Sequence, residues 1–555
     1  MQARGSNGNW AQFSGDPTQD NVLAWWFCLQ EDYLSESCGT YYTTVSKADL
    51  TGSKAEQQVD LLLRSKDGSP SQNKHDWRDI LVVDELKKSK EIRTKATLLQ
   101  IGRCVRKVFA AQPTQRFIHT FTVCSTKMKT WMFDHSGPYS SGVININEDL
   151  KQFFQVLIGY TMMSNEELGL DTFIARDEDG SKITVKGPGI PEEIELRLDE
   201  MLSFQHAIMC HRTTCFLADV GEVEGVAKFS WVLDKQQLEI ELLKLAGQRN
   251  VQGVTRIIGH SIITSITDMK HRSLNKEMQK LKQSHSTNQL SSDTQPGNEL
   301  AFSAQPAHKP SLFDRNGEES NNNCVLHCLV ISPAGRPIYK YKSPLELLKV
   351  LHNAIKAHQS LYLDGNILHQ DISENNIIIT NPDKADGHMG MLINLDLAKE
   401  VGSQQSGARH QTGTMEFMAI EVLLNTDHIY QHDLKSFFYI LIWQCAHHSW
   451  EKLNELQRQG QDQPKDSLLR EWYTRTYKKI ATYKQGNMEA GGFEYILQEF
   501  PPDFKCIKPL CRTIQGMLFP YGKEGLIVGT PQDPDRLYNP IIKAYDDAIA
   551  QIEIE

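Results

Sequence analysis

The sequence predicts an α+β protein in which an α/β N-terminal domain precedes a second unit with a small β-rich lobe and a mainly helical lobe. Three observations support this fold class. The chain has 555 residues, which is too long for one hydrophobic core. Strand and helix patterns alternate up to about residue 180. Strand patterns then dominate from about residue 200 to 340, and helical patterns dominate from there to the C-terminus.

The N-terminal part divides into a region of weak periodicity, residues 1–75, and a predicted α/β domain, residues 76–190. The run ILVVDELKK is typical of a buried strand, and KATLLQIGRCVRKVFAAQ has the three-to-four spacing of an amphipathic helix. FIHTFTVCS and TWMFDHSG then predict the two strands of a hairpin.

The second unit divides into residues 200–340 and residues 341–545. HAIMCHRTTCFLADV and GVAKFSWVL predict strands, and KQQLEIELLKLAGQ predicts a helix. Residues 270–323 are rich in Ser, Asn, Gln, Lys and Glu, a composition that predicts a disordered insertion because it buries too little apolar surface to order itself. PLELLKVLHNAIKAHQSLYLDG opens the helical lobe.

Composition limits the function classes. Hydrophobic residues make up 40% and charged residues 23% of the chain, as in soluble globular proteins. The net charge of -10 argues against a general nucleic-acid binder. No apolar run approaches the roughly 18 residues of a membrane helix, and the first residues lack the apolar core of a secretory signal. Eleven scattered cysteines without a C-x-x-C pair predict free thiols in the cytosol or the nucleus.

One polar loop has the spacing of a phosphoryl-transfer site. His369 and Asp371, followed by Asn376 five residues after the aspartate, match the pattern H-x-D-x-x-x-x-N between two short apolar runs. In such a loop the aspartate orients the attacking hydroxyl and the asparagine binds a metal ion through its amide oxygen. The alternative is a polar turn between two strands.

The same chemistry needs a lysine that neutralises the phosphates of ATP and a carboxylate that holds this lysine. Lys228 is the one lysine in the apolar strand pattern GVAKFSWVL, and Glu239 lies eleven residues later at the start of a helical pattern. Glu241 is the second choice for the partner. The alternative for all three is a solvent-facing side chain.

Two further segments follow the loop in the order that this site requires. GTMEFMAIE precedes HDLKSFFYILIWQ, in which Asp433 stands at a helix start and can accept backbone N–H bonds from the loop. Glu421 needs a buried basic partner, for which we predict Arg512.

These segments together resemble the fungal-type protein kinase family. HQDISENNIII, LINLDLA, GTMEFMAIEVL and HDLKSFFYIL carry the resemblance, and DELKKS, VFAAQPTQRFIHTF and YTMMSNEELGLDT extend it into the N-terminal half. About 500 of the 555 residues are spanned. The resemblance implies a bilobal protein kinase-like fold, ATP and Mg²⁺ as cofactors, and phosphoryl transfer to Ser/Thr hydroxyls of a protein substrate.

The sequence departs from the family pattern at the metal and phosphate positions. By register with the family, Asn394 replaces the metal-binding aspartate of the turn, so the metal ligands are predicted as Asn376 with Asn394 or Asp396. Asp396 is expected to face elsewhere unless the turn is rearranged. The expected glycine-rich loop has no glycine, which leaves Arg212 as the predicted phosphate contact there. Gln370 and Ser373 also replace the Arg and Lys that many kinases place in the loop.

The N-terminal domain resembles the restriction-endonuclease-like core. Asp79 and the pair Glu85 and Lys87 would bind Mg²⁺ and an attacked phosphate in that fold. A basic helix face would come from the residues Arg103, Arg106 and Lys107. A polar strand end and a solvated helix face are the alternatives. The sequence therefore leaves three hypotheses: an ATP-dependent kinase, a pseudokinase that serves as a nucleotide-binding or scaffold module, and a nucleic-acid-processing protein.

Overall fold

The computed structural model is a mixed α+β protein with several sheets and a helix-rich C-terminal part. The structure describes residues 19–554 except for 35–36, 45, 47–48, 53–57, 67–73, 88–94, 125, 179, 188–192, 205–212, 220, 222–223, 235–237, 270–322, 404–412, 458–466, 523–524 and 527–532. The predicted disordered insertion therefore lies almost wholly outside the described residues.

The first sheet has six strands, which include the predicted strand and hairpin, and the predicted helix packs against it. The strands are, in sheet order, Gly39–Tyr42, Leu61–Ser65, Ile80–Lys87, Phe117–Cys124, Lys127–Asp134 and Gly137–Asn145. Ile80–Lys87 and Phe117–Cys124 are parallel and are joined by the helix Lys95–Ala111, whereas the other neighbours are antiparallel. The first two strands lie in the predicted region 1–75, and the second of them pairs with Ile80–Lys87 in the predicted domain 76–190. The sheet therefore includes residues of both predicted regions.

Both faces of the first sheet are covered. Val82 and Leu86 pack in the same apolar cluster as Trp26 of the helix Gln19–Tyr33, while Val83 packs on the opposite side with Val105 of the helix Lys95–Ala111. The second helix on the Trp26 side is Leu150–Met162. This arrangement explains the continuous apolar run in the central strand, since a strand that is buried on both faces does not alternate with polar residues.

The second sheet has seven strands, six of which close into a ring. The strands are, in sheet order, Glu193–Phe204, Thr213–Asp219, Glu224–Leu233, Cys324–Ser332, Arg256–Ser265, Gly180–Lys186 and Ala175–Asp177. A further antiparallel pairing between Gly180–Lys186 and Glu193–Phe204 closes the ring around an apolar cluster that includes Val185, Phe229 and Val330. The sheet thus begins before residue 200, the predicted start of this unit.

The C-terminal part contains the longest helices and the largest apolar cluster. Its helices are Pro344–Leu363, Ile420–Leu423, Tyr430–Gln457, Tyr477–Met488, Ala490–Gln498, Lys508–Leu518 and Asp535–Ile554. The cluster also contains Leu242 and Leu243 of the helix Glu239–Gln248, which packs beside the second sheet. None of the helices in the described ranges combines the length and apolarity that crossing a lipid bilayer requires.

Three short strands place the polar loop against this helical core. Ile367–Leu368 and Ile377–Ile379 flank residues 369–376, and Gly390–Leu392 pairs with Ile377–Ile379. A Cβ atom on Gly390 would lie 2.2 Å from the carbonyl oxygen of Val350, so only glycine lets this strand approach the helix Pro344–Leu363 so closely. The loop is therefore held between a small sheet and the buried face of the helix Pro344–Leu363.

Candidate active site

Residues 369–376, here called the catalytic loop, place Asp371 and Asn376 in direct contact. Asn376 Nδ2 donates hydrogen bonds to the carboxylate Oδ2 of Asp371 at 2.9 Å and to its backbone oxygen at 2.7 Å. The other carboxylate oxygen, Oδ1, accepts from the backbone N and Oγ1 of Thr414 at 2.9 and 3.0 Å. These bonds hold the carboxylate of Asp371 in one orientation, as a group that orients a hydroxyl requires.

Lys228 reaches this region from the second sheet. Its Nζ donates to Glu239 Oε2 at 2.7 Å, to Asn394 Oδ1 at 2.6 Å and to Asp396 Oδ2 at 2.7 Å. The asparagine lies 166 residues further along the chain. The contact with Glu239 agrees with the predicted pair, whereas Glu241 is exposed on the same helix.

Burial and charge oppose each other at Lys228. Its side chain is 7% exposed, and burial alone would favour the neutral amine. The carboxylates of Asp396 and Glu239 outweigh burial and raise the pKa of Lys228 above its ordinary value. The site therefore contains a permanent buried cation at neutral pH, which is the charge that the phosphates of a nucleotide need.

The turn at residues 394–397 explains why both alternative metal ligands reach Lys228. Asn394 has a left-handed backbone with φ of 67°, which asparagine tolerates better than most residues, and a 3₁₀ turn spans Leu395–Leu397. Leu395 N donates to Glu239 Oε1 at 2.8 Å and fixes this turn to the helix Glu239–Gln248. The expectation that Asp396 faces elsewhere holds only for an extended chain, and the 3₁₀ turn brings Asp396 to the same side as Asn394.

The predicted metal ligands form an oxygen-only donor set. Asn394 Nδ2 donates to Asn376 Oδ1 at 3.0 Å, so the three predicted ligands Asn376, Asn394 and Asp396 lie in one hydrogen-bonded group around Lys228 Nζ. Amide and carboxylate oxygens suit a hard cation such as Mg²⁺, with Asp396 as the anionic donor of this group. Among the residues that the structure describes, no three or more His, Cys, Asp or Glu side chains group as a metal site. The donor types fit Mg²⁺, with less negative charge than a pair of carboxylates would provide.

Asp433 holds the catalytic loop through its backbone, as the sequence predicts. Its Oδ2 accepts from Gln370 N at 3.2 Å, and Gln370 has a left-handed φ of 68°. Two histidines share the carboxylate: His358 Nε2 lies 2.8 Å from Oδ2 and His428 Nε2 lies 2.8 Å from Oδ1. The carboxylate is fully buried, which raises its pKa, but the two histidines outweigh burial and hold the pKa of Asp433 well below its ordinary value.

Sequence reasoning missed the two histidines. His358 lies inside the helix Pro344–Leu363, where a histidine on a buried face gives no signal of its partner. Tyr538 Oη lies 2.7 Å from the other ring nitrogen of His358, which connects Asp433 to the C-terminal helix Asp535–Ile554. The position of His428 five residues before Asp433 is the signal that could have found it.

One predicted ion pair is wrong. Glu421 pairs with Lys435, not with Arg512. Lys435 lies two residues after Asp433 on the helix Tyr430–Gln457 and is buried. Although burial raises the pKa of Glu421, the ammonium of Lys435 outweighs it, so this pKa is lowered. Arg512 instead binds Glu494 at the surface, with an Nε–Oε1 distance of 2.7 Å.

The other predicted residues belong to the first sheet and its neighbouring turn, or lie outside the described residues. Arg212 lies outside the described residues, as does the side chain of Lys87. Glu85 is 1% exposed and accepts from Gln100 Nε2 at 2.7 Å, so it faces the interior rather than an open cleft. Asp79 ends a 3₁₀ turn before the strand Ile80–Lys87.

The basic residues on the helix Lys95–Ala111 face outward. Arg103 and Arg106 are exposed, and Lys107 Nζ lies 5.6 Å from the ring centre of Trp77. They therefore fit the alternative of a solvated helix face.

Comparison with known families finds a match over most of the chain. The family model described as fungal protein kinase matches residues 58–445, which include the first sheet from its second strand onward, Lys228, the catalytic loop and Asp433. No curated protein matches the chain.

Proposed function

Because the chain belongs to the fungal protein kinase family, we propose that it transfers the γ-phosphoryl group of ATP to Ser or Thr hydroxyls of a protein. The observation that carries this proposal is the convergence of Lys228 on Glu239 and on the turn at residues 394–396, beside Asp371 and Asn376. We further propose the bilobal arrangement of protein kinases, with the nucleotide between the closed second sheet and the helical part.

Each residue has a distinct role in the proposed reaction. Lys228 neutralises the inner phosphates of ATP and is held for this task by Glu239. Asp371 accepts the hydrogen bond of the acceptor hydroxyl and orients its oxygen towards the γ-phosphorus. The oxygen–phosphorus bond to the acceptor forms, the bond from the γ-phosphorus to the leaving ADP oxygen breaks, and the hydroxyl proton passes to the carboxylate of Asp371.

The residues Asn376, Asn394 and Asp396 would hold Mg²⁺, which when bound screens the charge of the phosphate oxygens. In the structure Lys228 Nζ lies between Asn394 Oδ1 and Asp396 Oδ2. Nucleotide binding therefore requires Lys228 to exchange these two oxygens for phosphate oxygens. Glu239 keeps the ammonium in place during that exchange.

Asn394 favours a second candidate function, a pseudokinase that binds nucleotide or a partner protein without turnover. A neutral amide binds Mg²⁺ less strongly than a carboxylate, because hard cations prefer charged oxygen ligands. Asn394 Nδ2 also donates a hydrogen bond to Asn376 Oδ1, the oxygen proposed to bind the metal ion. Both features reduce the attraction of the site for a divalent cation.

Phosphate incorporation with labelled Mg-ATP tests the two functions. The kinase proposal expects incorporation into the chain itself or into dephosphorylated casein, and a loss of about 100-fold or more in Asp371→Asn. Incorporation that Asp371→Asn leaves unchanged contradicts the role of Asp371. A thermal shift with Mg-ATP but no incorporation supports the pseudokinase.

Asn394→Asp is the matched gain-of-charge variant. We expect it to raise incorporation and to lower the Mg²⁺ concentration at half-maximal rate, because it adds a second carboxylate beside Asp396. Equal Mg²⁺ dependence in both proteins would show that Asp396 already supplies the charge.

We also propose that the protein acts in the cytosol or nucleus. Six cysteines in the described part of the chain are free thiols, three of them buried: Cys28, Cys38, Cys215, Cys328, Cys445 and Cys511. Unpaired cysteines are typical of reducing compartments.

A further inference from the structure

A buried lysine holds the segment that contacts Asp371. This segment, residues 413–418, is here called the closing segment. Lys484, on the helix Tyr477–Met488, is fully buried, and its Nζ donates to the backbone oxygens of Glu416 at 2.7 Å and Met418 at 2.8 Å. The lysine is thus bound to main-chain atoms of the segment from a helix that lies more than sixty residues further along the chain.

Two aromatic rings enclose the same ammonium. Lys484 Nζ lies 4.2 Å from the ring centre of Tyr439 and 4.9 Å from that of Trp472. The two rings contact each other edge to face, and Trp472 is held by a 3.0 Å hydrogen bond from its Nε1 to Asn487. Cation–π attraction and two carbonyl oxygens replace the water that the ammonium loses.

Among the described residues, the hydrogen bonds of Lys484 Nζ go to two carbonyl oxygens and not to a carboxylate. Burial therefore lowers the pKa of Lys484 well below its ordinary value, and the nearby carboxylate of Glu416 only partly opposes this effect. The buried amine gains free energy from its two hydrogen bonds and loses part of it through its own desolvation. Its specific contribution is geometric, because it fixes two carbonyl oxygens relative to the helical core.

The two ends of the closing segment have different anchors. At the first end, Thr414 donates two hydrogen bonds to Asp371 Oδ1. At the second end, Lys484 holds Glu416 and Met418. Phe417 N donates to the backbone oxygen of Thr414 at 3.0 Å and closes the turn between the two anchors. A displacement at the Lys484 end is therefore transmitted to the Asp371 end through one short turn.

We propose that Lys484 is a positioning residue for the protein acceptor: it fixes the closing segment so that the acceptor hydroxyl meets Asp371 in a reactive orientation. The inference rests on the proposed kinase function for its kinetic part. Its structural part, the immobilisation of residues 414–418 by Lys484, is independent of activity.

Lys484→Met is the variant that tests this role, because methionine keeps the length of the side chain but loses both hydrogen bonds. Lys479→Met is the matched control, since Lys479 is exposed on the same helix. Hydrogen exchange of the Phe417 and Met418 amides is the first measurement. We expect about tenfold faster exchange at these amides in Lys484→Met and unchanged exchange in the control.

Steady-state kinetics with casein as acceptor is the second measurement. We expect the KM for casein to rise about tenfold in Lys484→Met while the KM for ATP stays unchanged, because Lys228 and the turn at residue 394 do not contact the closing segment's second anchor. If the wild-type chain incorporates no phosphate, the kinase proposal fails, while the exchange measurement still decides the role of Lys484.

The outcomes that overturn the proposal are specific. Unchanged hydrogen exchange at Phe417 and Met418 in Lys484→Met would overturn the proposal. Faster exchange over the whole helix Tyr430–Gln457 would also overturn it, because it would indicate a purely structural role for Lys484. If Lys484→Met does not fold, Trp472→Phe weakens the same enclosure and keeps an aromatic ring. Faster exchange confined to Phe417 and Met418 supports the proposal there too, and unchanged exchange overturns it.

Discussion

Removing the ammonium of Lys228 should destabilise the protein by an amount that the structure allows us to work out. Two carboxylate oxygens, on Glu239 and Asp396, lie 2.7 Å from Lys228 Nζ. At an effective dielectric constant of about 20, each charge pair at this distance has a gross attraction of about 6 kcal/mol. Desolvation of the buried ions takes back several kcal/mol for each of them, so the gross figure is far above the net effect.

The net loss depends on what remains after the substitution. In Lys228→Met, Glu239 keeps a carboxylate that is only 6% exposed, whereas Asp396 is 26% exposed and is better hydrated. Breaking a buried ion pair by removing one partner costs about 3–5 kcal/mol. We expect a loss of about 3 kcal/mol in the free energy of unfolding, at the lower end because water reaches Asp396.

Urea-induced equilibrium unfolding at pH 7 measures this loss. Lys244→Met is the matched control, since Lys244 is exposed on the helix that carries Glu239, and we expect a change within about 0.5 kcal/mol. The double variant Lys228→Met/Glu239→Gln removes the unpaired carboxylate and keeps an oxygen that can accept from Leu395 N. It should therefore lose about 2 kcal/mol less than the sum of the two single variants.

Two results would refute this reasoning. A loss below about 1 kcal/mol in Lys228→Met would mean that desolvation cancels the attraction. Strict additivity in the double-mutant cycle would mean that the two side chains do not stabilise each other, despite the short distance between them.

The remaining predictions concern stability at three other places. Burial lowers the pKa of His432 to about 4, whereas the pKa in the unfolded chain is near 6.5. Between these two pH values the unfolded chain therefore binds more protons than the folded protein. The free energy of unfolding should fall by about 3 kcal/mol as the pH decreases through this range. Urea unfolding at pH 7 and at pH 5 measures the fall, which should be smaller in His432→Asn. Burial and the nearby carboxylates of Asp60 and Glu85 raise the pKa of Asp84 well above 3.8. Ionisation of Asp84 therefore destabilises the folded protein as the pH rises. Asp84→Asn should raise the Tm at pH 8 more than at pH 4. Gly390→Ala should lower the free energy of unfolding by more than about 2 kcal/mol, because its Cβ would lie 2.2 Å from a backbone oxygen. Gly516→Ala has open space around its Cβ and should raise the free energy of unfolding by up to about 1 kcal/mol. Equal effects of the two variants in thermal unfolding would contradict the packing argument.

The local elements and the chemistry-bearing residues could be predicted from the sequence. The strand Ile80–Lys87 follows from a continuous apolar run, and the helices Lys95–Ala111 and Pro344–Leu363 follow from apolar residues that repeat every three to four positions. Asp371 and Asn376 follow from a spacing within one loop. Such signals are local, because they depend on how one element presents its own side chains.

The partners of those residues could be predicted only where the chemistry of phosphoryl transfer calls for a particular pair, as for Lys228 and Glu239. The same approach paired Glu421 with Arg512, although the buried cation beside Glu421 is Lys435. It also expected an extended chain at Asp396, where a 3₁₀ turn is present. In both cases several polar side chains had the right chemistry, and their distance in space was decided by the packing of helices.

The sequence by itself determined which groups this protein offers: a strand lysine, a loop aspartate, an asparagine in the following turn and a helix with an aspartate in its first turn. The tertiary structure alone decided that Asp396 joins Asn394 at Lys228, that His358 shares Asp433, and that Lys484 lies among aromatic rings beneath the closing segment. The physical reason is that these contacts join residues between about 65 and 170 positions apart. Their geometry arises when elements with independent local signals pack into one core, and no local spacing encodes it.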